Sequence, residues 1–305
     1  MAVMTTSTFA KNNWPGIKAW FGLKYNDHKT EYTDVFTKMS SDKNYEEYVG
    51  QSGFGLAPVK AEGESISYDE MSQGFVTRGT NVVYALGFKV SEEAVDDGIG
   101  FNVAKKGATA VARSLNLTRE TNGANKLNRA FSSSYLGGDG IELCSTVHPN
   151  GGGAGGTYQN ELTTAADLSE YSLEQALIDI DAWTDDRGLQ IAVRPKCLIV
   201  PGALAFEAER FLVTTLRPES ADNDINAVKS TGRLPGGYKI NHYLTDADAW
   251  FITTDVPEGM IYQERKGDSF KRDMEVETGN LCYGGKSRYI FLHADPKGIY
   301  GSPGA

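Results

Sequence analysis

Cysteine is scarce in this chain, and long apolar runs are missing. The three cysteines, Cys144, Cys197 and Cys282, are odd in number and far apart. They favour free thiols in a reducing cytosol and exclude a disulfide-stapled secreted fold. No apolar run approaches the roughly 18 to 20 residues of a membrane span. The N-terminus lacks the charged start and apolar centre of a signal peptide, so we expect neither a membrane anchor nor a leader.

Histidine and positive charge are also in short supply. The four histidines, at positions 28, 148, 242 and 293, form no close metal-ligand spacing with another His or Cys. We therefore assign no metal-binding residue. The formal net charge is −10, which argues against nucleic-acid binding over the general surface and leaves room only for a local basic patch.

Glycine, in contrast, is abundant. It accounts for 34 of 305 residues, about 11% against a typical value of about 7%, which predicts many turns and loops. Apolar residues make up 40% and charged residues 23% of the chain, a soluble globular composition. The length suits one large domain or two smaller ones.

The stretch from Glu64 to Phe131 carries the most distinctive pattern. Its first part, residues 64–90, is rich in β-favouring side chains and predicts an extended ribbon. From Phe101 to Leu115, apolar or small residues recur at steps of three and four, which predicts one face of a helix. A ribbon feeding directly into a long helix has few partners within its own chain. We expect neighbouring subunits to cover both.

The segment before this stretch points the same way. Glycines at 50, 53, 55 and 63, with Pro58, exclude a helix there and favour a two-stranded arm. A lone hairpin is only marginally stable in water, so we expect another subunit to cover it.

The N-terminal segment allows more than one interpretation. Residues 1–26 contain Lys11, Lys18 and Lys24 and no acidic residue. They form either a short amphipathic helix on the core or an arm that contacts a neighbour or an electronegative interior. Residues 27–48 form either a short strand with a helical turn or a single helix.

Cys144, Ser145 and His148 lie close in sequence, as a nucleophile and its base would. A catalytic pair also needs an orienting carboxylate and an oxyanion hole from other parts of the fold, and none can be named. We therefore expect a surface loop and assign no catalytic residue, no cofactor-binding residue and no cofactor. The following GGGAGG run lacks the Gly-Lys-Ser/Thr of a phosphate loop and is predicted to be a tether or a turn.

The second half of the chain predicts alternating helices and strands. Residues 168–188 predict an amphipathic helix that Ser169 or Ser172 caps and Gly188 ends. Residues 197–200 predict a buried strand, and the periodic residues 204–212 predict a helix.

The remaining segments and the paired carboxylates are interpreted as follows. Residues 217–237 predict a polar loop, residues 238–255 two strands around a turn, residues 260–267 a further strand, and the rest a second sheet ending in a Gly/Pro tail. The pairs Asp185–Asp186 and Glu46–Glu47 are expected to be ordinary exposed helix residues.

Four blocks of sequence occur in an informative order. They are ESISYDEMSQGFVTRGTNVVYALGFKVSEEAVDDG; NKLNRAF with DGIELCSTVHP and the glycine-rich run to Asn160; CLIVPGALAFEAERFL; and KGIYGSPG. In this order and spacing they resemble the major capsid protein of tailed phages, which has the Hong Kong 97-type fold, and within it the Mu-like head subunit group.

The resemblance implies an α+β fold with four parts. They are an N-terminal arm at 1–50, an extended loop at 51–90, a peripheral domain at 91–165 and 255–305 with a long spine helix, and an axial α/β domain at 166–254.

The resemblance also implies a structural role without enzymatic activity. Copies of the chain would assemble in the host cytoplasm as hexamers and pentamers, forming the icosahedral head of a virion around double-stranded DNA. The implied partners are a separate scaffold, a portal and decoration proteins, since the residues before the loop leave no room for a large built-in scaffold. Some relatives crosslink subunits through Lys and Asn, but no residue match carries that chemistry to Lys60 in the loop.

Three alternatives stay open at this point. They are an encapsulin-type nanocompartment shell, a hydrolase that uses Cys144 or Ser145 with His148, and a β-rich tail or baseplate component.

Overall fold

The structure is a computed structural model that describes residues 30–97, 100–151, 156–216 and 224–305. The predicted N-terminal helix or arm at 1–26 lies outside the described residues. So do residues 152–155 of the glycine run and residues 217–223 of the expected polar loop.

The described elements combine helices and strands, which confirms the predicted α+β class. The strands are β1 (Thr37–Ser40), β2 (Tyr45–Gln51), β3 (Gln73–Thr80), β4 (Val82–Val90), β5 (His148–Pro149), β6 (Thr157–Tyr158), β7 (Pro195–Val200), β8 (Tyr238–Ile240), β9 (Trp250–Thr254), β10 (Met260–Met274), β11 (Leu281–His293) and β12 (Ile299–Ser302). The helices are α1 (Glu92–Asp96), α2 (Gly100–Asn128), α3 (Glu170–Asp181), α4 (Ala205–Leu212) and α5 (Ala227–Thr231).

The first sheet has the strand order β1-β10-β11-β4. Strands β10 and β11 form a long antiparallel hairpin, and β4 pairs antiparallel with β11 from Val82 to Val90. Tyr84 on β4 stacks on Tyr289 of β11, with 4.6 Å between ring centroids. The expectation that residues 64–90 lack partners in their own chain is therefore wrong for β4, because its β-favouring side chains find a strand distant in sequence.

Helix α2 lies on this sheet and is continuous over 29 residues, about 44 Å. Val111 and Leu115 of this helix are buried against the sheet, which confirms the C-terminal part of the apolar face predicted over residues 101–115. Gly285 on β11 makes this approach feasible, because a Cβ there would lie 2.6 Å from Val111 Cγ1 and 2.9 Å from Leu115 Cδ1. Tertiary packing thus compensates for the weak helix propensity of the α2 sequence.

Strands β2 and β3 form a separate two-stranded ribbon, paired antiparallel from Tyr45 with Thr80 to Gln51 with Gln73. The two-stranded arm is confirmed. Of the alternatives for residues 27–48, the described part has a short 3-10 turn at Tyr32–Asp34, followed by β1 and the start of β2. Glu46 and Glu47 therefore lie on a strand, and their assignment to a helix was wrong.

The second sheet has the order β12-β9-β7-β8, with β7 parallel to β8 and antiparallel to β9. The predicted strand at 197–200 is confirmed, and so is the helix over 204–212, observed as α4. The two strands predicted over 238–255 are β8 and β9, which flank β7 and do not pair with each other. Leu173, Ile180, Leu198 and Trp250 belong to the core beneath α3.

The start of α3 matches its prediction, whereas the end does not. Ser169 caps the helix in a capping box with Ser172. The helix ends at Asp181 rather than at Gly188, because the chain turns back and the Asp185 carboxylate accepts the backbone N–H groups of Arg187 and Leu189, both at 2.8 Å. Asp185 and Asp186 are therefore turn residues and not exposed helix residues.

The C-terminal residues are part of the core. Strand β12 pairs antiparallel with β9 and is buried along its length. The Tyr300 hydroxyl donates a hydrogen bond to Asp179 Oδ2 at 2.6 Å. The expected Gly/Pro tail is thus a strand of the second sheet, and only the last residues beyond Ser302 follow it.

Candidate functional surfaces

The ribbon tip, residues 52–72 between β2 and β3, has the largest set of exposed apolar side chains. No strand or helix forms within it. Val59 is 97% exposed and Tyr68 is 93% exposed. Apolar patches of this kind mark interaction sites on soluble proteins. The tip side chains that are more than half exposed are Phe54, Leu56, Val59, Ile66, Tyr68 and Met71.

Hydrogen bonds fix the base of the ribbon tip although its apolar side chains lie free. The Ser52 N–H donates to the Ser72 carbonyl at 2.9 Å, and the two hydroxyls are 3.0 Å apart. Further out, the Gly55 N–H donates to Asp69 Oδ2 at 2.9 Å. Hydrogen bonds therefore hold the two sides of the base together, while the apolar side chains of the tip stay exposed.

A single arginine ties the ribbon tip to the second half of the chain. Arg187 Nη2 donates to Asp69 Oδ1 at 3.2 Å and also to the Glu70 carbonyl. The backbone N–H groups of Gly55 and Glu70, followed by Arg187, hold the pKa of the Asp69 carboxyl below its ordinary value. The turn that ended α3 early thus supplies the anchor of the ribbon. Sequence reasoning missed this contact, because the two segments are far apart in the chain.

The far end of the β10–β11 hairpin is a second exposed apolar region. Phe270 and Met274 are about half exposed, and Val276 is 92% exposed. Lys89 Nζ lies 2.7 Å from Glu275 Oε2, which joins this end to β4. This end of the hairpin is therefore joined to β4 and carries exposed apolar side chains.

The helices around the second sheet form a third exposed apolar region. Tyr171 and Ile178 on α3 are more than half exposed. Phe206 on α4 is 78% exposed, and Ile225 just before α5 is 69% exposed. Helices α3 and α4 also bury residues in the core, so Tyr171, Ile178 and Phe206 are apolar side chains that this packing leaves exposed.

The segment with Cys144, Ser145 and His148 is buried, and its assignment to a surface loop was wrong. None of the three side chains is more than 3% exposed. His148 Nδ1 lies 2.6 Å from Asp139 Oδ2, so an orienting carboxylate exists that sequence reasoning did not name. Burial raises the pKa of the Cys144 thiol well above its ordinary value. A buried thiol held in its protonated form is a poor nucleophile.

Asn160 explains why this segment is fixed. Its Oδ1 accepts the Ser145 N–H at 2.8 Å, and its Nδ2 donates to the carbonyls of Leu143, Pro296 and Ile299 at 2.8, 3.0 and 3.2 Å. One fully buried side chain thus joins three segments of the chain. Asn160 ended a block of the capsid resemblance, but its role was not predicted.

The described residues also bear on metal binding and membrane spanning. They contain no group of three or more His, Cys, Asp or Glu residues arranged to hold a metal ion. Within the same residues, no helix is long and apolar enough to cross a membrane.

Comparisons with known proteins were made for both sequence and fold. A sequence model of the phage capsid protein family matches residues 77–302. No curated protein matches the sequence.

Solved structures match the fold over most of the chain. A structure from Microbacterium phage Oxtober96 has a TM-score of 0.53 at 12% identity, covering 99% of this chain and 99% of that one. The capsid structure of the cyanophage P-SCSP1u has a TM-score of 0.55 at 9% identity, covering 90% of this chain and 87% of that one. The capsid of an empty GTA particle has a TM-score of 0.50 at 15% identity, covering 89% and 88%. The shared fold is the Hong Kong 97-like fold.

Proposed function

We propose a function from one premise: the chain belongs to the phage capsid protein family. It is a major capsid protein. Its copies assemble as hexamers and pentamers into the icosahedral head that encloses phage double-stranded DNA. The family match favours this role over that of an encapsulin-type shell.

The exposed ribbon tip is the observation that carries the proposal. Its apolar side chains are exposed within one subunit, while hydrogen bonds order its base. Obligate contacts between subunits often bury more than about 2,000 Å² and are largely apolar. A second copy of the chain is the partner that every subunit in a shell has, and burial against it removes this apolar surface from water.

The four-part organisation is the finer part of the proposal. The arm is 1–50, the extended loop 51–90, the peripheral domain 91–165 with 255–305, and the axial domain 166–254. Helix α2 on the β10–β11 hairpin supports the assignment of the spine helix. Strand β7, which lies between α3 and α4 in the chain, pairs in parallel with β8. Together with the core that these helices share, this pairing supports the axial α/β domain.

The finer family assignment and the partners follow the sequence resemblance. The four sequence blocks support the Mu-like head subunit group. The head assembles in the host cytoplasm with a separate scaffold and a portal, and decoration proteins bind the finished shell. The chain has a structural role and no enzymatic one, which the buried, protonated thiol of Cys144 supports.

Deletion of the ribbon tip tests the proposal. Residues 54–70 are replaced by a short Gly-Ser linker, which spares β2, β3 and the bonds of Ser52 and Ser72. Wild type and variant are expressed with the neighbouring scaffold gene and examined by negative-stain electron microscopy. We expect closed shells from the wild type only, and a variant that stays soluble.

A folding control makes the result interpretable. The variant should unfold in urea at the same midpoint as the wild-type subunit, because the deleted residues bury little surface in the core. Shells of normal size and stability from the folded variant would refute the role assigned to the ribbon tip. A wild-type chain that stays monomeric with its scaffold would refute the shell itself.

A further inference from the structure

A cavity of about 230 Å³ lies where the end of α2 meets β4 and β11. Nitrogen-bearing side chains line much of it, and none of the described residues that line it is Asp or Glu. Its volume is several times what one water molecule needs. The polar side chains that line it are Tyr84, Asn122, Asn125, Lys126, Arg129, Tyr135 and His293.

His293 is the least explained residue of this cavity. It is only 6% exposed, and neither ring nitrogen has a hydrogen-bond partner among the described residues. A buried polar group left unpaired is costly and rare in native proteins. The nearby Asp139 carboxylate is already occupied by His148 Nδ1 at 2.6 Å and by the Ile141 N–H at 3.2 Å. The ring nitrogens of His293 therefore need a hydrogen-bond partner from outside the described residues.

Lys126 and Arg129 add positive charge beside His293. Neither has a carboxylate within ion-pair distance in the part of the chain that the structure describes. Burial and the neighbouring Arg129 charge lower the pKa of Lys126. Both cations lie at the C-terminal end of α2, where the helix dipole stabilises them. The dipole accounts for their position but leaves His293 unpaired.

Arg129 is held in a geometry that suits the binding of an oxyanion. Its guanidinium carbon lies 4.4 Å from the centroid of the Tyr135 ring. Stacking on a ring leaves the in-plane N–H groups of a guanidinium free to donate, and these match the oxygens of an oxyanion.

We propose that this cavity binds a phosphate oxyanion, with Lys126, Arg129 and His293 as its ligands. A phosphate group brings the negative charge and the acceptor oxygens that the cavity lacks, and hydrogen bonds between ionised groups are the strong ones. Two sources share this chemistry: free inorganic phosphate and a phosphate of a nucleic-acid backbone. Only the second source rests on the proposed function, since free phosphate requires neither a shell nor DNA.

Titration of the full-length soluble subunit tests the site. Inorganic phosphate and a short DNA duplex are titrated separately by calorimetry, with chloride holding the ionic strength constant. The variants are Lys126→Gln and Arg129→Gln. Lys286→Gln is the matched control, because Lys286 is an exposed cation of β11 outside the cavity. We expect each cavity variant to weaken binding about tenfold, as the loss of a charge-assisted hydrogen bond does, and the control to bind as the wild type does.

The His293 ring supplies a readout that does not depend on a variant. Its NMR signals should shift on addition of phosphate and not on addition of chloride. Phosphate binding without duplex binding identifies a free oxyanion, and duplex binding that phosphate displaces identifies a backbone phosphate. The proposal is overturned if neither probe saturates the wild type. Equal weakening by Lys286→Gln, or unchanged binding by both cavity variants, overturns it as well.

Discussion

His293 should contribute to the stability of this subunit in a way that acid removes. Burial and the neighbouring Lys126 lower the pKa of His293 from 6.5 to about 4 in the folded chain. Between these values the unfolded chain binds the additional proton. The contribution of the neutral His293 ring to the free energy of unfolding is therefore fully present above pH 6.5. It is lost as the pH falls towards the folded-state pKa of about 4. At about 1.4 kcal/mol for each unit of pKa difference, the loss approaches about 3 kcal/mol.

The assay compares the pH dependence of unfolding in two variants. Urea unfolding of the soluble subunit is followed from about pH 7.5 to about pH 4.5 in buffers without phosphate. We expect the stability of His293→Gln, taken relative to the wild type at each pH, to rise by up to about 3 kcal/mol as the pH falls from 6.5 to about 4.5. Lys286→Gln is the matched control, because it changes an exposed residue of β11 and leaves the histidines in place, and it should keep the wild-type pH dependence.

A second group titrates in the same range with the opposite sign. Burial, followed by the nearby Glu142, raises the pKa of Glu161 from 4.5 to about 7. Its contribution to stability is present below pH 4.5 and is lost as the pH rises through about 7. Glu161 is present in the wild type and in both variants, so the difference between them isolates His293. Parallel curves for the wild type and His293→Gln would refute the reasoning.

Two further predictions concern the packing of the helix and the anchor of the ribbon. Gly285→Ala should cost about 1 to 3 kcal/mol of unfolding free energy by overpacking against Val111. Gly284→Ala is the control and should cost much less, because its Cβ would meet nothing within 4 Å. Equal urea midpoints for the two variants would contradict this prediction. Arg187→Ala should speed hydrogen exchange in the ribbon tip without moving the unfolding midpoint. Arg233→Ala, which breaks an exposed pair elsewhere, should leave the tip unchanged, and unaltered tip exchange in Arg187→Ala would refute the anchor.

Local signals in the sequence were sufficient for several elements. The periodic apolar residues of α2 and α3 predicted both helices, and Ser169 predicted the start of the second. The short β-rich run ending at Val200 predicted a buried strand. In each case neighbouring residues carry the information, because a helix face, a cap or a buried strand is a pattern within a few turns or residues.

The failures concern interactions between distant segments. The pairing of β4 with β11 joins residues about two hundred positions apart, and the sequence of either strand does not name its partner. His148 was expected in a surface loop because the sequence named no carboxylate to orient it. His148 contacts Asp139, and Asn160 hydrogen-bonds two other segments of the chain around it; no local pattern encodes these contacts.

Buried hydrogen-bonded side chains and exposed apolar side chains occur in different parts of the subunit, so folding and assembly use different residues. Buried side chains such as Asn160 and Tyr300 have their hydrogen bonds within one subunit, and the core beneath α3 is formed by residues of one subunit. The ribbon tip contributes almost none of its apolar surface to that core. A subunit can therefore fold before it meets another copy, and the apolar surface of the tip stays available to drive association. This order of events requires that removal of the tip abolish the shell while the fold remains.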